Sequence, residues 1–306
     1  MKKNILFILL FACFSVFSYA QEDEGSVVKE KDYPVNGAFE SGYLIDAQTT
    51  VIPDVKTLEF VIQHKFGTVA NGKSDLFGIY AAGSNIRLGL DYVLLKNVQI
   101  GVGLTKKSMM TDLNAKWTVL QQTRKNSMPI SVALYGSVGI DGRSISAFET
   151  GQVRVAYNTG LSNEFDFQDR LNYFSQLIVG RKFNDWLSLQ AGVSFTHYNA
   201  VGVLYDHDKV GVHFNGRVKV SPQGSVIFNY DQPLKIKEIS EQFEWTNHPL
   251  PNVAIGYEIS TGTHAFQIFA ASSNGLLTQD NIMWNQNDWQ NKGFAIGFVM
   301  TRLWGF

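Results

Sequence analysis

The chain has 306 residues, and its 26 Lys and Arg against 27 Asp and Glu leave a formal charge of −1. There is no basic field to draw nucleic acid, and beyond the first twenty residues no stretch approaches the roughly 20 apolar residues of a membrane helix. Aromatic residues are plentiful (22 Phe, 12 Tyr, 6 Trp) and only seven prolines interrupt the chain, a composition of strands rather than of disorder.

Residues 1–20 read as a signal peptide. Lys2 and Lys3 lead an apolar core over 5–17, and Ser18-Tyr19-Ala20 sets small residues at the two positions a signal peptidase recognises. Lipidation of Cys13 after Leu10-Phe11-Ala12 is the rival reading; Phe11 suits it badly, and the apolar run continues through Phe17. Cys13 is the only cysteine, so the processed chain holds no thiol for catalysis, metal or a disulfide. Residues 21–56 open on Glu22, Asp23 and Glu24 and have sparse apolar positions. They are expected to form a periplasmic N-terminal arm, with a partial plug as the alternative.

From Thr57 onward, twelve segments alternate with the period of a strand. They cover 57–67, 86–95, 98–105, 112–122, 130–139, 169–182, 186–197, 210–220, 225–232, 252–260, 264–271 and 293–306. In the first, Leu58, Phe60, Ile62 and Phe66 oppose Glu59, Gln63 and Lys65. In the eighth, Val210, Val212, Phe214, Val218 and Val220 oppose His213, Asn215, Arg217 and Lys219. The last sets Phe294, Ile296, Phe298, Met300, Arg302, Trp304 and Phe306 on one face, and it ends on an aromatic residue, as the closing strand of a transmembrane barrel does at the membrane boundary. Connections after even-numbered segments are short and those after odd-numbered ones mostly longer, the asymmetry of periplasmic turns and outer loops. The connection around 106–111 is a short exception. A secreted sandwich would also alternate, but its loops need not. The expected fold is an all-β antiparallel transmembrane barrel of about twelve strands over 57–306, in the outer membrane of a Gram-negative bacterium.

Two blocks, PVNGAFESGYLIDAQTT at 34–50 and TLEFVIQHKFG at 57–67, resemble the opening of a Bacteroidetes family of outer-membrane β-barrels of unknown function. GRKFN, within 173–184, and FTHYNAV at 195–201 fit the same family. The resemblance implies location and fold, and it carries no catalytic residues.

The inward faces hold both signs of charge: Glu59, Lys65, Arg87, Asp91, Asp112, Lys116, Arg217, Lys219, Asp231 and Glu258. Such residues either pair and close a narrow lumen or line a small polar pore. His64, His197, Arg302, Trp304 and Phe306 belong at the membrane interfaces, where charged side chains snorkel and aromatics anchor. His197 with Asn199 has the look of an outer-membrane phospholipase site, but the place of the serine nucleophile is taken by Asn199, so acyl transfer is not expected there. Ser194 falls on the opposite face. Asp206, His207 and Asp208 are consecutive in a loop and point apart too readily to hold one metal. No histidine spacing marks a metal site, and no cofactor or enzymatic activity is expected.

The functional expectation is a narrow channel for small polar solutes. The alternative is a closed barrel whose outer loops, 140–168 and 272–291 with Trp284 and Trp289 exposed, meet a partner or surface lipid. Expected partners are outer-membrane lipid, the barrel-assembly machinery through the C-terminal strand and a small polar solute, with no nucleic acid.

Overall fold

The structure is a computed structural model that describes residues 31–148, 153–155, 165–240 and 246–306. The signal peptide expected over 1–20 lies outside the described residues. Twelve antiparallel strands close into one barrel: β1 (Thr57–Thr68), β2 (Asn85–Leu95), β3 (Val98–Thr105), β4 (Met110–Leu120), β5 (Ser131–Ile140), β6 (Leu171–Lys182), β7 (Leu187–Tyr198), β8 (Asp208–Lys219), β9 (Gly224–Pro233), β10 (Asn252–Ser260), β11 (His264–Ala271) and β12 (Ala295–Gly305). Each pairs with the next in sequence. β12 returns to β1, with Trp304 opposite Leu58 and Phe298 opposite His64.

Every strand expected from alternation is present, with small shifts at the ends. The sixth starts later than its apolar pattern suggested because residues 167–170 form a 3-10 turn, boxed at its start by Asp166 and Asp169. Lys96-Asn97 makes a two-residue hairpin in which Asn97 takes a left-handed φ of 64°, a conformation Asn tolerates well.

The side-chain distribution is inside out. Leu88 is 43% exposed and Ile268 68%, whereas Glu59, Arg87, Asp112 and Asp231 are buried. A belt of outward Leu, Ile, Val and Phe of this size would drive aggregation in water. In lipid it is the stable arrangement, because closure leaves no unpaired backbone edge.

The lumen is not empty. Residues 39–51 run inside it as a plug, folded about a two-stranded hairpin of Tyr43–Leu44 and Ala47–Gln48. The arm expected over 21–56 is therefore, over these residues, an internal insert. The physical reason is their apolar side chains: Phe39, Tyr43, Leu44 and Ile45 pack with Val61, Ile227, Phe269 and Val299. Burying each large side chain contributes about 1.5–3 kcal/mol, which a solvated arm would forgo. At the other mouth, the connection between β11 and β12 turns inward and carries helix α1 (Thr278–Trp284), whose Thr278 to Met283 are all buried.

Candidate functional site

The plug enters and leaves by the mouth that carries the short turns. Val35 N donates to Gln122 O (2.8 Å), Lys182 Nζ to Asn36 O (3.1 Å), and Lys56 N to Val93 O (3.0 Å). The hairpin tip at Ile45-Asp46 reaches toward α1, which comes from the opposite mouth. The inserts meet there: Thr278 Oγ1 donates to Asp46 O at 2.8 Å and Asn281 Nδ2 to Asp46 Oδ2 at 3.2 Å.

Nine of the ten charged wall residues are buried, and five of them (Glu59, Lys65, Asp91, Lys116 and Arg217) grip the plug. Glu59 accepts from Gly42 N at 3.0 Å, and Lys116 Nζ donates to Gly42 O (3.4 Å) and Gln48 Oε1 (3.2 Å). Asp91 accepts the Tyr43 hydroxyl at 2.6 Å. Arg217 bonds Glu40 of the plug, Ser225 Oγ and, at 3.2 Å, Glu258. Lys65, fully buried, donates to Asp46 (2.5 Å), Ser273 O (2.9 Å) and Gly275 O (2.6 Å), so a single ammonium holds both inserts. Lys219 is half-exposed at the short-turn mouth, where it and Glu40 line one cleft.

Besides Arg217 with Glu258, two charged pairs belong to the wall itself. Arg87 forks onto Asp112 through Nε (2.9 Å) and Nη2 (2.6 Å), and His213 meets Asp231 at 2.8 Å. Neutral side chains that the sequence reading did not single out do equal work. Gln267 accepts from Ile45 N (2.7 Å) and donates to Tyr43 O (3.0 Å), serving as a sheet neighbour for the hairpin, and Gln190 donates to Gln48 O at 2.6 Å. Their inward position was legible; their target was not.

Glycine supplies the close approach at the centre of this contact. A Cβ on Gly42 would lie 2.7 Å from Glu59 Oε2 and 2.9 Å from Lys116 Nζ. Gly42→Val is therefore expected to weaken plug docking by about 1–3 kcal/mol. Proteinase K should then cleave within 33–56 about tenfold faster while the barrel fragment stays intact; unchanged cleavage would show that the plug is held elsewhere.

The outer-face candidates sit as separate contacts. His64 stacks on Phe298 (5.3 Å between ring centres), Arg302 lies 4.8 Å over Trp304, and Phe306 is 80% exposed. His197 bonds Asp208 (2.6 Å) and Asn199 (2.8 Å). Trp284, expected on an exposed loop, is instead half-buried edge-on against Tyr198 and Tyr205, 5.0 Å from each, because its helix folds inward; Trp289 stays exposed. The Asp206-His207-Asp208 run is tied to its surroundings one residue at a time. Asp206 is buried against Lys209, His207 bonds Tyr198 O and Asp208 bonds His197, so the three side chains diverge. A cleft of about 410 Å³ opens at the long-loop mouth, with Asn85, Lys107, Asn274, Trp284 and Asn287 in its wall.

A family model described as a membrane-bound beta barrel domain (DUF5777) matches residues 39–304, a span that starts at the plug. No match was found among curated proteins. Among solved structures, the fold is similar to the KdgM porin (7% identity, 82% of this chain and 99% of that one, TM-score 0.41). It is similar to the NanC porin (6%, 80% and 98%, 0.45) and to the COG4313 outer membrane channel from Pseudomonas putida F1 (11%, 83% and 97%, 0.45).

Proposed function

The chain belongs to the DUF5777 family of membrane-bound β-barrel domains, and from that premise we propose that it works in the outer membrane as a channel for small polar solutes, closed at rest by its own inserts. The observation that carries this reading is topological. Every strand contributes at least one polar side chain to the lumen wall, and the two inserts that fill it each enter and leave through a single mouth. Withdrawing either one breaks hydrogen bonds, ion pairs and the apolar contacts of the plug but no strand pairing. What remains is a hydrated tube whose charged residues set selectivity.

Planar-bilayer recording of the barrel lacking residues 21–51 tests it. Discrete ionic steps are expected, with selectivity shifted toward cations when Arg217 is changed to Glu. A deletion protein that shows the heat-shifted gel mobility of a folded barrel and yet stays silent would overturn the reading. Silence of that kind would favour the second reading, a closed barrel that binds at its outer mouth. The filled lumen, the mouth cleft and the exposed Trp289 support that alternative. Since residues 273–285 are part of the lumen filling, Trp289→Ala rather than deletion of the whole loop is its clean test, with partner capture lost and the barrel unchanged.

A further inference from the structure

We propose that Ser194, His213 and Asp231 form a nucleophilic site in the lumen wall that hydrolyses an ester of a small polar solute once α1 is lifted. They lie on β7, β8 and β9, three adjacent strands, with their side chains in the lumen. His213 Nδ1 is 2.8 Å from Asp231 Oδ1, and His213 Nε2 is 2.8 Å from Ser194 Oγ. The second carboxylate oxygen accepts from Asn229 Nδ2 and Asn252 Nδ2, each at 2.8 Å, which fixes the orientation of Asp231. A carboxylate that accepts from Nδ1–H leaves the Nε2 lone pair facing the serine hydroxyl. That polarity is the one a serine needs from its general base.

The immediate surroundings add independent support. Gly211 stands opposite Ser194 on β8, and a Cβ there would lie 2.9 Å from Ser194 Oγ and 3.1 Å from His213 Nε2, so only glycine leaves the serine–histidine contact free. On the other side Ser194 pairs with Gln176 of β6, which is buried and whose Oε1 has no hydrogen-bond partner; Thr196 Oγ1, the next inward group on β7, has none either. Buried polar atoms left unpaired are costly unless a ligand or solvent meets them. Gln176 Nε2 lies 3.4 Å from where a Cβ on Gly192 would be, two residues from Ser194 on the same face, and an amide donor is the type of group that stabilises a developing oxyanion. Helix α1 packs across β7, β8 and β9, and Ile282 presses on Gly211, within 2.7 Å of where a Cβ would be. The site is shut while α1 is seated. Its access to solute therefore rests on the channel reading, in which α1 leaves the lumen.

The chemistry closes without any co-reactant but water. Ser194 Oγ bonds to the carbonyl carbon as His213 Nε2 takes the serine proton. The carbon–oxygen bond to the alcohol then breaks, and His213 protonates the departing alcohol oxygen. Water attacks the acyl-serine and gives a proton to His213, which returns it to Ser194 Oγ as the carboxylic acid departs. Ser194 and His213 are the catalytic residues of this scheme, and Asp231 is a positioning residue.

The test is labelling of the full processed chain with a small fluorophosphonate, read as an intact-mass adduct, together with turnover of p-nitrophenyl acetate. Ile282→Ala, and separately a Gly-Ser linker in place of 276–286, are expected to label at Ser194 at least tenfold faster than the unaltered chain. Ser194→Ala should remove the adduct, His213→Gln should slow it more than a hundredfold, and Asp231→Asn should displace its pH profile. No adduct on Ser194 in the linker variant, with heat-shifted mobility proving the barrel folded, would overturn the proposal. Conductance of the same variants separates the two ideas. Ionic steps without an adduct overturn the nucleophile alone, and an adduct without steps overturns the channel alone.

Discussion

Asp46→Ala is expected to turn a quiet barrel into a conducting one. Lys65 and Asp46 are both removed from water, and the ammonium holds the plug through Asp46 and the outer insert through Ser273 O and Gly275 O. Removing the carboxylate leaves a buried cation facing two neutral carbonyls and the Phe269 ring. The cost of such an orphaned charge is about 3–5 kcal/mol, enough to raise the undocked population by roughly two to three and a half powers of ten. Asp46 also accepts from Asn281, so its loss loosens both inserts at their meeting point. The double variant Asp46→Ala with Lys65→Met removes the charge as well as its partner and should stay quiet. Single-channel recording in a planar bilayer decides between these outcomes. An Asp46→Ala barrel as silent as the double variant would show that the ion pair is not the latch.

That latch lay outside what the sequence discloses, for a definable reason. Strands announce themselves by period two, and each of the twelve was marked by it, including which face of Glu59 to Lys65 turns inward. The plug has no period: FESGYLIDAQTT places Tyr43, Leu44 and Ile45 together because a hairpin buried on all sides needs no polar face. Register was legible only where a tight turn sets it. The turn at 220–223 puts His213 opposite Asp231, whereas the longer connection at 199–207 leaves the β7–β8 register open, and with it the contact of His213 and Ser194. Glycines were readable as inward or turn residues, but their purpose appears only when the neighbouring strand is in place. Gly103 of β3 is the example. Arg87 of β2 reaches Asp112 of β4 across a strand that offers no side chain between them, and a Cβ on Gly103 would lie 2.3 Å from Arg87 Nη2 and 2.5 Å from Asp112 Oδ1.

The same fork supplies a direct measure of whether the lumen is dry. Arg87→Met is expected to leave the buried Asp112 carboxyl without its guanidinium partner, and to lower barrel stability by about 3–5 kcal/mol. Arg87→Met with Asp112→Leu should recover most of that loss, since apolar side chains of similar size replace a desolvated pair at little net cost. The double-mutant cycle from urea unfolding in detergent then gives the coupling energy of the pair. Were the lumen hydrated, an Arg–Asp contact would be worth no more than about 1 kcal/mol. The seated inserts exclude water, so the coupling should approach the larger figure in the unaltered chain. It should fall below about 1 kcal/mol when the cycle is repeated in the Asp46→Ala background, where water enters. A coupling that is small in both backgrounds would mean that water already reaches Arg87 and Asp112 past the plug. A coupling that is large in both would mean that Asp46→Ala fails to open the lumen, whatever the conductance.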